Sequence, residues 1–580
     1  MDLARDLASR LTRRSTLPTV LELDLSRGIL TGPPRSPAVA LRAMHMPTLR
    51  GIRDGLRAGA KDPKVVGLVV HVGNCPLSAS EVDEVGGLIA EFGTVKPTVA
   101  HTESFGELGN GLMAYRLAAH AQQVWVQPTG SLGLTGVNLQ VTLLRGTLDK
   151  VGVEPQFSQR HEYKTAANTY QATEVTEAQR EMMQRLADSV LEQTIAVVAE
   201  RRELSSDDVR AAVDTSPLTA TVALERRLVD HLGYRDEVYS WLRSEWGSEV
   251  DGEHKVDLLY VHRYDRERGG PAMVKNLVER GKPSIAVVGV QGAIVTGASG
   301  NGGPGGPSAG SDTVTQHLRT AAADENVKAV VLRVDSPGGS YVASDAIRRE
   351  VRQLVESGRP VVASMGDLAA SGGYFVAMGA SEVVATPSTL TGSIGVLAGK
   401  MVTTGLADKV GLVREEMTAG ARADMFSTLR TFDETDWDVL NAWLDDVYAD
   451  FTGKAAADRG MTIEELEPLA RGRVWTGADA ASRGLVDHLG GVSVALDRCC
   501  ELAGLDRETV GVRGVPAVPL LSQLRPARSS EHAAASVTGV DAGWSGLTAG
   551  GPEATLTRLA GLVGVRVPGV LALPWQITIG

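Results

Sequence analysis

The chain of 580 residues carries a formal charge of −12, with 58 Lys and Arg against 70 Asp and Glu. It is too long for one hydrophobic core, which sets the expectation at two or more domains, and an acidic balance without a strong basic run argues against nucleic acid as the main partner. The three cysteines, Cys75 and the adjacent Cys499 and Cys500, have neither the pattern of a disulfide framework nor the spacing of metal ligands, so a reducing compartment and no metal site are expected.

The N-terminus carries Arg13-Arg14, which could open a twin-arginine export signal, but Glu22 and Asp24 interrupt the apolar stretch such a signal needs. Val20-Leu21-Glu22-Leu23-Asp24-Leu25 alternates and is expected to be the first strand. No run of 18 uncharged apolar residues occurs anywhere, so no transmembrane helix is expected. "DPKVVGLVVHV" (62–72) predicts a buried strand, and Thr176 followed by Gln179 predicts the start of a long helix.

In the second half, "SIAVVGVQGAI", "KAVVLRV", "PVVASM" and "EVVAT" predict strands. "VASDAIRREVRQLV" predicts a helix whose Ile347, Val351 and Leu354 share a face, and another helix is expected near 371–380. Alternating strands and helices imply βαβ units and a largely parallel sheet, with sites at the strand ends. The extreme C-terminus, "VRVPGVLALPWQITIG", is apolar but broken by Pro568 and Pro574; a packed tail is expected, with an interfacial membrane contact as the alternative.

The chain repeats itself. At a shift of about 262 residues, "DPKVVGLVVHV" meets "DENVKAVVLRV" (324–334) and "PTGSLGL" meets "LTGSIGV", while "LVDHLG" at 228–233 returns at 485–490. Duplication predicts an N-terminal segment at 1–17, a first half at 18–245, a charged connector at 246–282, a second half at 283–505 and a C-terminal extension at 506–580.

Three loops of the second half should converge on one crevice. "DSPGGS" (335–340) follows an apolar strand and precedes a helix; its glycines admit close backbone approach, and the helix N-terminus offers unpaired N–H groups, the physics of an oxyanion hole. The second loop is "DLAASGGYF" (367–375), and the third, "TLTGSIGVLAGK" (389–400), sets Ser393 on a sharp turn. Ser131, in the first-half copy "QPTGSLGLTG", is the rival serine.

A serine nucleophile needs a base. His488 beside Asp487 offers a Ser-His-Asp reading, but His231 and Asp230 repeat the same hexapeptide, which points to a structural role shared by both copies. The other base is a lysine. Lys164, in "SQRHEYKTAANTY", stands between a polar segment and a small-residue stretch; burial lowers a lysine from about 10.4 by roughly 3–5, enough to leave a working amine.

"AVVLRVDSPGGSYVASDAIRREV", "DLAASGGYFVAMGA", "TLTGSIGV" and "VGVEPQFSQRHEYKTAANTY" together resemble the long, duplicated form of the signal peptide peptidase A (protease IV) family of serine proteases, over roughly 18–505. The resemblance implies an α/β fold of two tandem crotonase-like (Clp-protease-like) domains. It also implies a Ser/Lys dyad, carried over as Ser393 for the nucleophile and Lys164 for the base, with backbone N–H groups of Gly339 and Ile394 as the oxyanion hole. Gly338, Ser340, Tyr341, Gly372 and Gly373 are the substrate-groove candidates. The repeat agrees with one composite site: Lys164 falls on Ala423 of the second half, and Pro337-Gly338-Gly339 falls on Cys75-Pro76-Leu77 of the first.

The expected activity is therefore that of a serine endopeptidase acting on cleaved signal peptides or other unfolded apolar peptides, with no cofactor. Self-association into a homo-oligomer and a cytoplasmic place, with peripheral membrane contact left open, complete the expectation. A crotonase-type acyl-CoA enzyme and a non-catalytic oligomeric scaffold are the alternatives.

Overall fold

The computed structural model describes residues 17–31, 46–107, 109–264, 281–303, 306–515 and 571–572. The Arg13-Arg14 pair and all of the apolar C-terminal tail except 571–572 lie outside the described residues. The chain forms two compact units, one of Met1–Gly136 with Leu191–Arg280 and the other of Val137–Val190 with Gly281–Ile579. Among the described residues, no helix is long and apolar enough to cross a membrane.

The first unit is built on a six-stranded parallel sheet in the order Asp257–Tyr260, Thr19–Asp24, Val65–His71, Thr98–Thr102, Gln123–Val126, His231–Leu232. Its central strands Thr19–Asp24, Val65–His71 and Thr98–Thr102 are largely buried and rich in β-branched residues, as parallel strands covered on both faces must be. The helix Ala79–Gly93 starts in a capping box between Ser78 and Glu81. The expected strand at 20–25 is present as Thr19–Asp24.

The second unit repeats the plan. Val474–Thr476, Leu390–Gly392, Val361–Ala370, Val327–Ser336, Ser284–Gln291 and Gly511–Val515 lie side by side, all parallel except the first pair, and Glu382–Ala385 continues from Val361–Ala370 to His488–Leu489. The helix Tyr341–Glu356 buries Ile347, Val351 and Leu354 as the periodicity predicts. Both units are thus tandem βαβ domains of the expected α/β class.

The repeated hexapeptide has the same job in each unit. The Asp230 carboxylate accepts from the Val124 amide at 2.7 Å and pairs with Arg202; Asp487 accepts from the Val383 amide at 2.7 Å and pairs with Arg459. The phenols of Tyr115 and Tyr374 donate to the carbonyls of Leu228 and Leu485 in the same manner.

The units do not follow the repeat boundary. Residues 137–190, first-half in sequence, belong to the second unit. Glu154–Gln159 pairs antiparallel with Leu397–Val402, and Phe157, Ala166, Ala167 and Tyr170 form an apolar cluster with Leu397. Along the helix Glu177–Arg202, whose start the Thr176 signal predicts, Arg185 pairs with Asp479 and Ser189 shares a hydrogen bond of 2.7 Å with Thr476. This docking carries Lys164 into the second unit.

Candidate active site

Lys164 lies just before the short turn Thr165–Ala167 and is 1% exposed. Its Nζ donates to Ser371 Oγ at 2.8 Å, to Ser393 Oγ at 3.0 Å and to the Ser393 carbonyl at 3.0 Å. Burial pushes the amine down to about 7, with no neighbouring charge contributing. The segment 471–473 passes so close that a Cβ on Gly472, at φ +84°, would lie 2.5 Å from Lys164 Cα; only glycine fits both that space and that backbone.

Ser393 follows the strand Leu390–Gly392 at φ 50°, and its amide donates to the Arg473 carbonyl at 2.7 Å. Its turn packs against the 472–475 segment: a Cβ on Gly392 would meet Trp475 and Arg473, and one on Gly395 would meet Gly472. The adjoining Ile394 is buried, and its carbonyl accepts from the Gly472 amide at 2.7 Å.

Ser371 ends the neighbouring strand Val361–Ala370 and opens the buried helix Gly372–Ala377. Its backbone sits at φ 57°, ψ −116°, a costly conformation for a residue with a side chain, and its hydroxyl makes no capping bond to the helix. The amide is pinned to the Gly392 carbonyl at 2.8 Å, which ties the two serine turns together.

The glycine loop meets Ser371's turn. A Cβ on Gly372 would stand 3.1 Å from both Gly338 Cα and the Gly339 nitrogen, and one on Gly373 would strike the Ser336 carbonyl at 2.6 Å. Gly339, at φ +153°, is seated against Ile294, where a Cβ would lie 2.1 Å from the carbonyl oxygen. On its other side Gly338–Gly339 pairs antiparallel with Leu571–Ala572, so the loop edge accepts an extended backbone.

The remaining expected residues have defined places. Ser340 caps the helix Tyr341–Glu356 by accepting from the Ala343 amide, and the Tyr341 phenol donates to Asp450 while its ring meets Phe375 edge-on. Both are occupied in supporting the loop. His488 faces Glu382 at 3.2 Å, and its neighbour Asp487 holds the Val383 amide, so neither is arranged as a serine's partner. In the first unit Ser131 shares a hydrogen bond of 3.2 Å with Ser104. Among the described residues, no cluster of His, Cys, Asp or Glu could hold a metal.

Sequence reasoning selected the loop 367–375 and its glycines but passed over Ser371 itself. The available signal was its place: a serine followed by two glycines, directly after an apolar strand and at the start of a helix.

Residues 91–249 and 353–506 match the model of peptidase family S49, and these stretches contain Lys164, Ser371 and Ser393. The chloroplastic serine protease SPPA of Arabidopsis thaliana is 30% identical over 438 residues, covering 75% of this chain and 63% of that protein, just under two thirds of its length. Protease 4 of Salmonella typhi is 30% identical over 469 residues, covering 79% of this chain and 72% of its own. Protease 4 of Haemophilus influenzae is 29% identical over 462 residues, with 77% and 72% covered.

Proposed function

Because the chain belongs to peptidase family S49, we propose that it is a serine endopeptidase in which Lys164 is the general base and Ser371 the nucleophile, with Ser393 holding the amine in place. This departs from the sequence expectation, which gave the nucleophile's role to Ser393. The observation that carries it is the approach of Lys164 Nζ to Ser371 Oγ at 2.8 Å on a turn that also touches the Gly338–Gly339 loop. A nucleophile and its oxyanion donors must surround the same carbonyl. Ser393's turn is instead packed on residues 472–475.

In the first step Ser371 Oγ bonds to the peptide carbonyl carbon and its proton passes to the neutral Lys164 amine. The carbonyl's π electrons move onto oxygen, where the Gly339 N–H is the proposed donor. As the tetrahedral centre collapses, the C–N bond breaks and Lys164 returns the proton to the leaving nitrogen. Water then attacks the acyl ester; Lys164 takes its proton and gives it back to Ser371 Oγ as the acid leaves. No cofactor enters the cycle.

The strand Leu571–Ala572 on the glycine edge supports an extended peptide as the substrate's shape, held by backbone pairing. The family resemblance supports cleaved signal peptides or other unfolded apolar segments as its source. Acyl-CoA chemistry of the crotonase type would need a carboxylate acid/base, whereas the side chains that accept from the buried amine are the hydroxyls of Ser371 and Ser393.

The test is labelling of the intact protein with a serine-reactive acylating probe, followed by peptide mapping. Modification of Ser371 is expected. Modification of Ser393 would reverse the two roles, and no modification at either would favour the scaffold reading.

A further inference from the structure

The three residues before Lys164 each grip the segment 467–473. His161 Nε2 lies 3.5 Å from the Glu467 carboxylate, and its ring centroid is 4.7 Å from that of Tyr448. Glu162 pairs with Arg471 at 2.8 Å. Tyr163 carries the guanidinium of Arg473 over its ring, with Cζ 3.8 Å from the centroid. The Tyr163 phenol donates to Glu181 at 2.7 Å, and Glu181 also pairs with Arg473.

Arg473 reaches both sides of the site. Its carbonyl accepts from the Ser393 amide at 2.7 Å. Its guanidinium lies over Tyr163, the residue bonded to Lys164, and its Cζ is 5.1 Å from the ring centroid of Trp475. Trp475 stands beside Gly392, where a Cβ would meet the indole at 3.0 Å. Tyr163 packs against the apolar cluster of Met182, Met183, Leu186, Ala370 and Val474. Ala370 and Gly392 are the residues that precede Ser371 and Ser393. A planar cation laid on aromatic faces has a fixed position and covers apolar surface. That position has a cost, because Arg473 Nε is buried and meets no acceptor among the described residues.

The duplication supplies a control. In the register of the twin "LVDHLG" copies, Thr476 matches Thr219. Each caps a helix, Thr476 by accepting from the Asp479 amide and Thr219 from the Val222 amide. Strand end, cap and helix are thus kept in both copies, yet Arg473 and Trp475 fall on Ser216 and Leu218. This part of the fold forms without the arginine and the indole. The copy that has them is the one that meets Lys164.

We propose that Arg473 is a positioning residue for the base: its guanidinium, laid on Tyr163, holds Lys164 toward the two serines and keeps water from the amine. The inference rests on Lys164 being the base, as proposed above. Arg473 acts by cover and not by charge, since burial alone shifts the amine and no neighbouring charge contributes. A lysine in its place would keep the charge and lose the plane.

Two readouts on the full-length chain test this: the pH dependence of kcat/KM on an apolar fluorogenic peptide, and competitive acetylation of Lys164 by acetic anhydride across pH, read by peptide mapping. Arg473→Ala is expected to lower kcat by about 10-fold with little change in KM. It should also move the midpoint of both readouts upward by about one pH unit or more, toward the ordinary lysine value of about 10.4. Tyr163→Leu should do the same, and the double variant should add little, because the two side chains act as one contact. Arg473→Lys should resemble Arg473→Ala. Unmoved midpoints in Arg473→Ala with only a lowered melting temperature would reduce the arginine to a structural role and overturn the proposal. Full rescue by Arg473→Lys, or additive effects in the double variant, would overturn it as well. If Arg473→Ala does not fold, Tyr163→Leu and Arg473→Lys carry the same comparison. A midpoint that moves in acetylation but not in turnover would uphold the cover over Lys164 and remove instead the reading of Lys164 as the base.

Discussion

Lys164 Nζ donates to Ser393 twice, to its hydroxyl and to its carbonyl oxygen, each at 3.0 Å. Two bonds to one residue fix the direction of the amine, and the remaining bond, at 2.8 Å, goes to Ser371 Oγ. Ser393 is itself fixed by the hydrogen bond its amide donates to the Arg473 carbonyl. Under the proposed mechanism, this separates the group that holds the base, Ser393, from the group that uses it, Ser371.

The two serines should therefore fail differently. Ser371→Ala removes the proposed attacking atom and is expected to lower kcat on an apolar fluorogenic peptide by on the order of 10⁴-fold or more. Ser393→Ala keeps the carbonyl anchor, so a loss of about 10–100-fold in kcat with little change in KM is expected, partly restored in Ser393→Thr. Ser131→Ala should retain most activity. Equal, complete loss in both Ser371→Ala and Ser393→Ala, with acyl labelling gone from each, would remove the distinction.

The pH profile follows from the state of the amine. The proposed base, Lys164, can accept a proton only when neutral, and burial pushes its ionisation down to about 7. Thus kcat/KM should rise with pH through about 7 and level off above it. Lys164→Arg, always protonated, should be inactive across the range. A rise centred near the pKa of free lysine would show that the amine is wet.

The same burial has a thermodynamic sign. The unfolded chain holds a lysine proton up to about 10.4, whereas the folded chain releases it at about 7. Between these values the unfolded state binds more protons, so this group's contribution to stability increases as pH rises and is least favourable at and below 7. Lys164→Met should be the more stable protein at pH 7, by up to a few kcal/mol, with the advantage shrinking toward pH 10. Chemical denaturation at several pH values reads this out; an advantage independent of pH would assign it to packing instead.

Gly472 should be intolerant of even one carbon. Gly472→Ala meets Lys164 Cα at 2.5 Å and keeps a φ of +84°, so it should displace the lysine backbone and cost at least 10-fold in kcat. Gly504→Ala shares the positive φ but has nothing within 4 Å; it should lose about 1 kcal/mol of stability and keep its activity. Turnover and thermal melting of the two variants separate strain from contact.

Much of this was legible in the sequence because the physics was local. Ile347, Val351 and Leu354 announce a buried helix face, and the twin "LVDHLG" copies announce a shared structural role that Asp230 and Asp487 fulfil on equivalent amides. Lys164 was legible only through family resemblance, since nothing in its neighbours tells where it is buried. Ser371 was hidden for a different reason: its φ of 57° and ψ of −116° and its meeting with Gly339 arise where separate strand ends come together. Likewise the strand Glu154–Gln159 was not expected: its partner Leu397–Val402 is antiparallel and lies in the other half of the repeat, so no pattern within 137–190 tells which unit holds it.

The amine at the centre of the site owes its low affinity for protons to dryness alone. Dissolved ions weaken interactions between charges but do not rehydrate a sealed cavity. The ionisation of Lys164 is therefore expected to move little between dilute and concentrated salt. Burial does here what a neighbouring cation does in sites poised by charge, and Gly472, whose Cβ would lie 2.5 Å from Lys164 Cα, is among the residues that crowd the lysine.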